Sequence, residues 1–482
     1  MNRTFRIAAE ELRLMARTRA AWIGVIALIL LSAVAAATAA AHSAREMTAR
    51  LESQAASDQA FARQPDRHPH RVVHSGTYVH RPVSPLAAFE PGVDPFTGTT
   101  LFLEGHRQNS ATFGAMRESS GLIRFGQLTP AFVLQALAPL LLIFLGFSTV
   151  TRERETGALR QLWLHGARAT QVLGGKAIAL GGVALVALAP AMIALTIAGA
   201  SAPAEATSAG LIGLAYLTYL AIWVLVVVAV SALSRSSRGA LIALVAVWSV
   251  AVVLVPRGAA AFAARAEQTP IRVETDLLLA QEARQIGDSH NPDDPFFAAF
   301  RARTLAQYGV DRVEDLPVNY RGLVSAEGEA LTSGLFTRYA ERTAERQREQ
   351  SRWMQFASVL SPALAVRQSS MAGAATDLEN HVRFLEQAEA FRFDLIQRLN
   401  RLHAEEVRAE DDAGRSRDAG AELRTRVTAD NWARMPDFRF RPATPQERVT
   451  AMTPGLAVLF GWLLAALGLV ALSARRLREL AQ

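Results

Sequence analysis

The chain has 482 residues, half of them hydrophobic, a formal net charge of +7 and no cysteine. The missing cysteine excludes disulfides, thiolate metal sites and cysteine nucleophiles. Its cations are arginines apart from Lys176, and many of them flank long apolar runs, so the basic balance points to a membrane surface and away from nucleic acid.

The apolar residues gather in runs of about 20, the length that crosses roughly 30 Å of hydrocarbon. Residues 1–19 carry five arginines, with Phe5, Ala8, Ala9, Leu12 and Met15 at near-helical spacing. This fits an interfacial helix and equally an ordinary basic flank. Residues 20–41 are the first expected span, longer than the apolar core of a cleaved leader and so read as a retained anchor. Residues 42–128 are polar and hold six of the ten histidines. A second span is expected at 129–150, with Pro139 kinking the helix or loosening its hydrogen bonding. In the arginine-rich insert 151–176, Leu159, Leu162, Trp163 and Gly166 fall on one face of a short helix. Spans are expected at 177–200, 209–233 and 240–256, the last two joined by the basic turn 234–239. Residues 257–451 form a second polar region, 452–473 the sixth span and 474–482 a basic tail.

Within the second polar region, 320–357 and 368–410 are rich in helix formers. Phe384, Ala388, Phe391, Leu395, Leu399 and Leu402 follow a spacing of three or four. A break at 358–366, punctuated by Pro362, predicts an antiparallel helical hairpin. The expected fold is therefore mainly α: a six-span helical membrane protein with two extracytoplasmic regions, the larger one a helical hairpin domain. Six spans put both ends on one side. The short segments 1–19, 151–176, 234–239 and 475–482 hold five, five, two and three Lys or Arg, whereas the loop 201–208 has none. The positive-inside rule then makes both termini and the 151–176 insert cytoplasmic. The two long polar regions fall on the opposite side.

Glu153-Arg154-Glu155-Thr156-Gly157-Ala158-Leu159, followed by Leu162 and Gly175-Lys176, resembles the segment between the second and third spans of ABC-2-type transporter permeases. In that family the segment is a coupling helix seated in a cleft of an ATP-binding subunit. Ala158 stands where Thr is common, and His165-Gly166-Ala167-Arg168 replaces a more usual Pro-containing turn. Tyr78 to Pro82, Pro85-Leu86, Glu90-Pro91-Gly92, Leu103 to His106, and Ser361-Pro362 to Phe391-Arg392 are similar to a bacterial subgroup with the DUF3526 domain of unknown function. The resemblance implies a partner ATP-binding subunit and a second permease subunit, as a homo- or heterodimer, in contact with membrane lipid in a bacterial inner membrane. It implies Glu153, Glu155, Leu159, Leu162 and Trp163 as the ATPase-docking surface.

No catalytic residue is expected in this chain. Gly174-Gly175-Lys176 lacks the spacing and the preceding strand of a phosphate loop, so ATP must be bound by the partner. His68, His70, His74, His80 and His106 are the candidate metal ligands, because imidazole suits zinc, copper and nickel. The same stretch is Pro- and Arg-rich, as a solvated loop would be. The acidic run Glu410-Asp411-Asp412 reads as solvated surface charge. The expected spans contain no Asp, Glu, Lys, Arg or His, which favours a device driven from outside the membrane over a proton-coupled carrier. Gln135, Thr218 and Tyr219 fit helix–helix hydrogen bonds better than a pathway lining. Two functions stay open: an ATP-driven permease for an unidentified substrate, or a mechanotransmission module that moves its larger polar region against a periplasmic protein.

Overall fold

The computed structural model describes residues 2–109, 111, 128–291 and 293–479. Residues 110 and 112–127 of the first polar region and the last three of the basic tail lie outside that set. Six helical segments among the described residues are long and apolar enough to cross a membrane: Ala21–Ala62, Pro130–Glu155, Ala169–Ala200, Pro203–Leu233, Ser237–Ala266 and Pro445–Glu479. The chain is mainly helical, with a single two-stranded antiparallel sheet among those residues.

Two spans run further than their apolar stretches. Helix α2 (Arg19–Ala62) continues some 20 residues past the expected end of the first span. Residues 42–62 are rich in Ala, Arg, Glu and Gln and contain neither Gly nor Pro, so nothing stops the helix. The fifth span does not end at Pro256 but continues to Ala266. A π-helical turn, Ser249–Leu254, precedes that proline, and another, Val133–Leu137, precedes Pro139 in the second span. In each case the residue four positions before the proline lies inside the π turn, where the carbonyls are displaced from the ring.

Polar side chains take up backbone carbonyls in these turns. Tyr219 Oη donates to Gln135 O at 2.7 Å and Trp248 Nε1 to Ala136 O at 3.1 Å. Ser361 Oγ donates to Ala251 O. In hydrocarbon such carbonyls have no water to turn to. Gln135 and Tyr219 are thus joined across helices, with Gln135 Nε2 also 2.6 Å from Tyr216 Oη. Thr218 bonds only its own helix, at Leu214 O.

Helix α1 (Arg3–Arg17) lies against α7 (Ala169–Ser201), and α8 (Ala206–Leu233) is the central span, with Tyr216, Tyr219 and Trp223 fully buried. The expected hairpin break at 358–366 is corrected: from Pro362 it is a helix, α12 (Pro362–Ala374), buried over most of its length. It packs against α8 and α14 (Pro445–Glu479), closely enough that a Cβ on Gly373 would stand 2.9 Å from both Ile212 Cγ1 and Met452 Sδ. Small residues permit that approach.

On either side of α12 run α11 (Tyr320–Ala357) and α13 (Leu378–Glu406), which pack on each other. The apolar stripe of α13 serves the first polar region. Leu395, Ile396 and Leu399 cluster with Val72 and Val73 of α3 (Pro69–Ser75). Phe384 and Ala388 cluster with Val79, Leu101 and Leu103 of the hairpin β1 (Thr77–His80) and β2 (Thr100–Leu103). The two polar regions, far apart in sequence, therefore form one packed layer.

Candidate functional site

Two constellations stand out, one at each end of the molecule. The first is built on the 151–168 segment. Helices α5 (Thr151–Glu155) and α6 (Ala158–Leu164) are separated by Gly157 at φ +77°. That left-handed conformation suits glycine and explains its place in the Glu-x-Glu-x-Gly pattern. Helix α5 is pinned to the turn between the fourth and fifth spans. Glu155 accepts from Ser237 N at 2.7 Å and from Ser237 Oγ at 2.8 Å, and Arg154 donates to Ala232 O at 2.7 Å and to Ser234 O.

Lys176 occupies the centre of this region. It lies on α7, is 1 % exposed, and bonds Glu11 of α1 at 2.6 Å and Glu153 of α5. Glu11 is itself 2 % exposed and accepts from Thr149 Oγ1 at 2.7 Å. One cation thus ties three elements together. Burial between two carboxylates gives this cation, which flanks the third span, a structural role.

The expected docking residues divide. Leu159 is buried in the chain's own core, and Leu162 and Trp163 are half-buried against it. Glu153 is engaged by Lys176. The apolar stripe therefore also anchors the segment to the chain's own core, with Leu162 and Trp163 keeping part of their surface exposed. The solvent-facing edge comprises Glu155, Thr156, Arg160, Gln161, Leu164 and His165, with Leu164 79 % exposed.

The second constellation lies in the polar layer. The five histidines expected to act together separate three ways. His70 and His74, one helical turn apart on α3, join His106 and, from the far polar region, His290. One ring nitrogen of each lies within 4.8 Å of the others. His68 instead joins His403 and Asp412 in a neighbouring buried group. His80 belongs to neither: its Nδ1 is 3.0 Å from Thr100 Oγ1 and its backbone N–H donates to Gln54.

The four-histidine group is built in depth. His70 Nε2 and His74 Nε2 are 3.1 Å apart. His106 is held at φ +63°, an uncommon conformation for a residue with a side chain. It follows Gly105, where a Cβ would meet Val73 Cγ1 at 2.2 Å. The buried Glu329 accepts from His106 N at 3.0 Å and lies 3.3 Å from its Nδ1. Arg392, 1 % exposed, fixes Glu329 at 2.6 Å and also bonds Glu389, Ser333 and Glu104 O. His290 Nδ1 is 3.1 Å from Asp288 Oδ1. His106 Nε2 and His70 Nδ1 are buried with no hydrogen-bond partner.

Burial first, and then the neighbouring imidazoles, push His70 down to about 2 and lower His74 as well. Burial alone would raise Glu329, but the His106 hydrogen bond and the Arg392 charge outweigh it, and its carboxyl sits below the usual range.

The second group is built around one buried carboxylate, and His68 Nε2, His403 Nδ1 and Asp412 Oδ1 within it are buried without a hydrogen-bond partner. Asp412 is 1 % exposed and holds His68 at 3.3 Å, His403 at 2.9 Å, Arg415 at 3.2 Å and Asn319 at 3.1 Å. The reading of Asp412 as solvated charge is corrected: burial would raise its pKa, but bonds from His403, His68 and Asn319 hold it well below the carboxylate range. His290, His403 and Asp412 were invisible as site residues, since no local spacing links them to residue 70.

No curated protein matched the chain. Residues 274–441, the stretch that supplies His290, Glu329, Arg392, His403 and Asp412 to the polar layer, match the family model described as Domain of unknown function (DUF3526).

Proposed function

We propose that this chain is the membrane subunit of an ABC-2-type transporter, one of a pair in a bacterial inner membrane, moving an unidentified substrate with ATP hydrolysed by a separate ATP-binding subunit. The observation that carries this reading is the geometry of 151–168: one edge is open to solvent while the opposite face is fixed to several spans. A push on Arg160 or Leu164 would reach α5, then Glu153 and Lys176, and through Lys176 both α7 and α1. Tightly packed, fully bonded elements pass on displacement, whereas a loop would absorb it. With both termini cytoplasmic, as the arginine distribution favours, this edge faces the compartment that holds ATP.

Docking then rests on Leu164, Arg160, Gln161 and the outward side of Glu155. Leu164→Asp combined with Arg160→Glu is expected to abolish co-purification of the ATP-binding subunit and to cut stimulated ATP turnover roughly tenfold or more, the effect of losing one or two interface hot spots. Both positions are exposed, so the fold should persist. Unchanged co-purification and turnover would overturn the proposal. Acidic substitutions at Leu162 or Trp163 would instead disturb the core.

A second reading has its own support. Helix α12 packs against α8 and α14 and follows α11 of the polar layer after the short turn Ser358–Leu360 and the extended Ser361. Movement of the spans would therefore shift that layer, and the work could be delivered to a periplasmic protein without transport. ATP turnover stimulated only by such a protein, never by a small solute in proteoliposomes, would favour this reading.

A further inference from the structure

We propose that His70, His74, His106 and His290 form a binding site for one divalent first-row transition ion, Zn(II) or Cu(II), which clamps the two polar regions together. The ligand chemistry is all imidazole, with no thiolate available anywhere in the chain. Neutral imidazole suits Zn(II) and Cu(II), while hard cations such as Mg(II) and Ca(II) require oxygen.

Geometry supports the assignment from several independent directions. A tetrahedral ion with metal–nitrogen bonds of about 2.0–2.1 Å sets its nitrogens about 3.3 Å apart. The His70–His74 pair is already at 3.1 Å, and the whole set lies within 4.8 Å. His74 and His290 are exposed, so modest side-chain rotation can close the set. A ligand to a metal ordinarily gives its other ring nitrogen to a carboxylate, which fixes the ring and raises its basicity. Two of the four do so: His106 to Glu329 and His290 to Asp288. Glu329 is anchored in turn by Arg392.

The unmet hydrogen-bonding capacity points the same way. His106 has its Nδ1 occupied, its Nε2 buried without a partner, and its backbone in a strained region. A buried polar atom left unpaired is costly unless something fills the place. Four close imidazoles are also poor company for one another. Among the described residues, the Nε2 contact between His70 and His74 is the one hydrogen bond that joins two of these rings. A dication bound by all four resolves both problems. The neighbouring His68–His403–Asp412 group differs in charge, because the Arg415 guanidinium already stands 3.2 Å from Asp412 Oδ1, the oxygen a cation would take.

His70, His74 and His106 come from the first polar region and His290 from the second, so the ion would cross-link segments some 180 residues apart in the chain. This proposal stands whether the chain transports a solute or moves a partner.

The test uses the full-length protein in detergent, stripped with a chelator and titrated with Zn(II) or Cu(II) alone against a chromophoric competitor. The expected result is one tight equivalent per chain. His290→Ala and His74→Ala, both at exposed positions, should weaken it at least tenfold. Asp288→Asn should weaken it roughly tenfold, the usual size of an outer carboxylate's contribution. His80→Ala should bind as the unaltered chain does. With Cu(II), the nitrogen hyperfine pattern should report one fewer nitrogen in His290→Ala, and the metal should raise the melting temperature of the unaltered chain but not of that variant. Absence of a saturable equivalent, or equal affinity in His290→Ala and His74→Ala, would overturn the site.

Discussion

Replacing Lys176 with methionine is expected to cost about 3–5 kcal/mol, because it leaves buried carboxylates without their cation. Glu11 and Glu153 both bond Lys176 Nζ, and among the described residues the other cation paired with Glu11 is the half-exposed Arg152, 3.7 Å away. Methionine matches the length of the lysine stem but supplies no charge, so two like charges would face each other in a dry place. The helices α1 and α5 should loosen from α7, and any activity routed through them should fall with stability. Adding Glu11→Gln to Lys176→Met should recover a large part of the loss, since it removes one of the unpaired charges. Thermal unfolding of the purified chain, with circular dichroism of its helices, reads both effects. A single variant as stable as the unaltered chain would mean that water reaches Lys176 freely.

The second large effect is expected at Arg392. Arg392→Met should destabilise the polar layer by about 3–5 kcal/mol, again because a buried carboxylate loses its partner. Glu329 is fully buried and depends on Arg392 at 2.6 Å, and the same guanidinium reaches Glu389, Ser333 and Glu104 O. Glu329 also positions His106 through two contacts. Denaturant unfolding should therefore show the loss, and metal affinity should fall with it. Docking at the 155–165 edge should be unaffected, since it lies at the other end of the spans. A loss below about 1 kcal/mol would show that Glu329 finds another partner.

The spans were legible because runs of about 20 apolar residues admit few other interpretations. Their ends were less so. Polarity marks where hydrocarbon stops, not where hydrogen bonding stops, and so α2 runs on to Ala62. Prolines 139 and 256 read as kinks or stops because sequence does not announce a π turn four residues earlier. Helix α12 was hidden for a related reason. Its first turn, from Pro362 to Val366, reads as a break because of the proline, which in fact opens the helix, while the close approach of α8 and α14 explains the small residues that follow.

For the candidate sites, local pattern succeeded where the chemistry is local and failed where it is not. His70 and His74 share a helical face, so their pairing is written in the spacing. His290 arrives through tertiary folding alone. The 159–163 stripe shows a different limit of local pattern. Leu159, Leu162 and Trp163 do line one face, but amphipathicity states only that a face is buried, not against what. Here the chain's own spans are that partner, and the exposed Leu164 next to the stripe is what remains for another protein.

On the proposed function, a partner ATP-binding subunit pushes on the 155–165 edge. The chain has no cysteine, so Leu164→Cys introduces a unique thiol at its most exposed apolar position on that edge. Bifunctional maleimide cross-linking in membranes that contain both subunits should yield a covalent adduct between residue 164 and the ATP-binding subunit. A Tyr78→Cys control, exposed in the polar layer, should yield none. An adduct at position 78 but not at 164 would contradict the account.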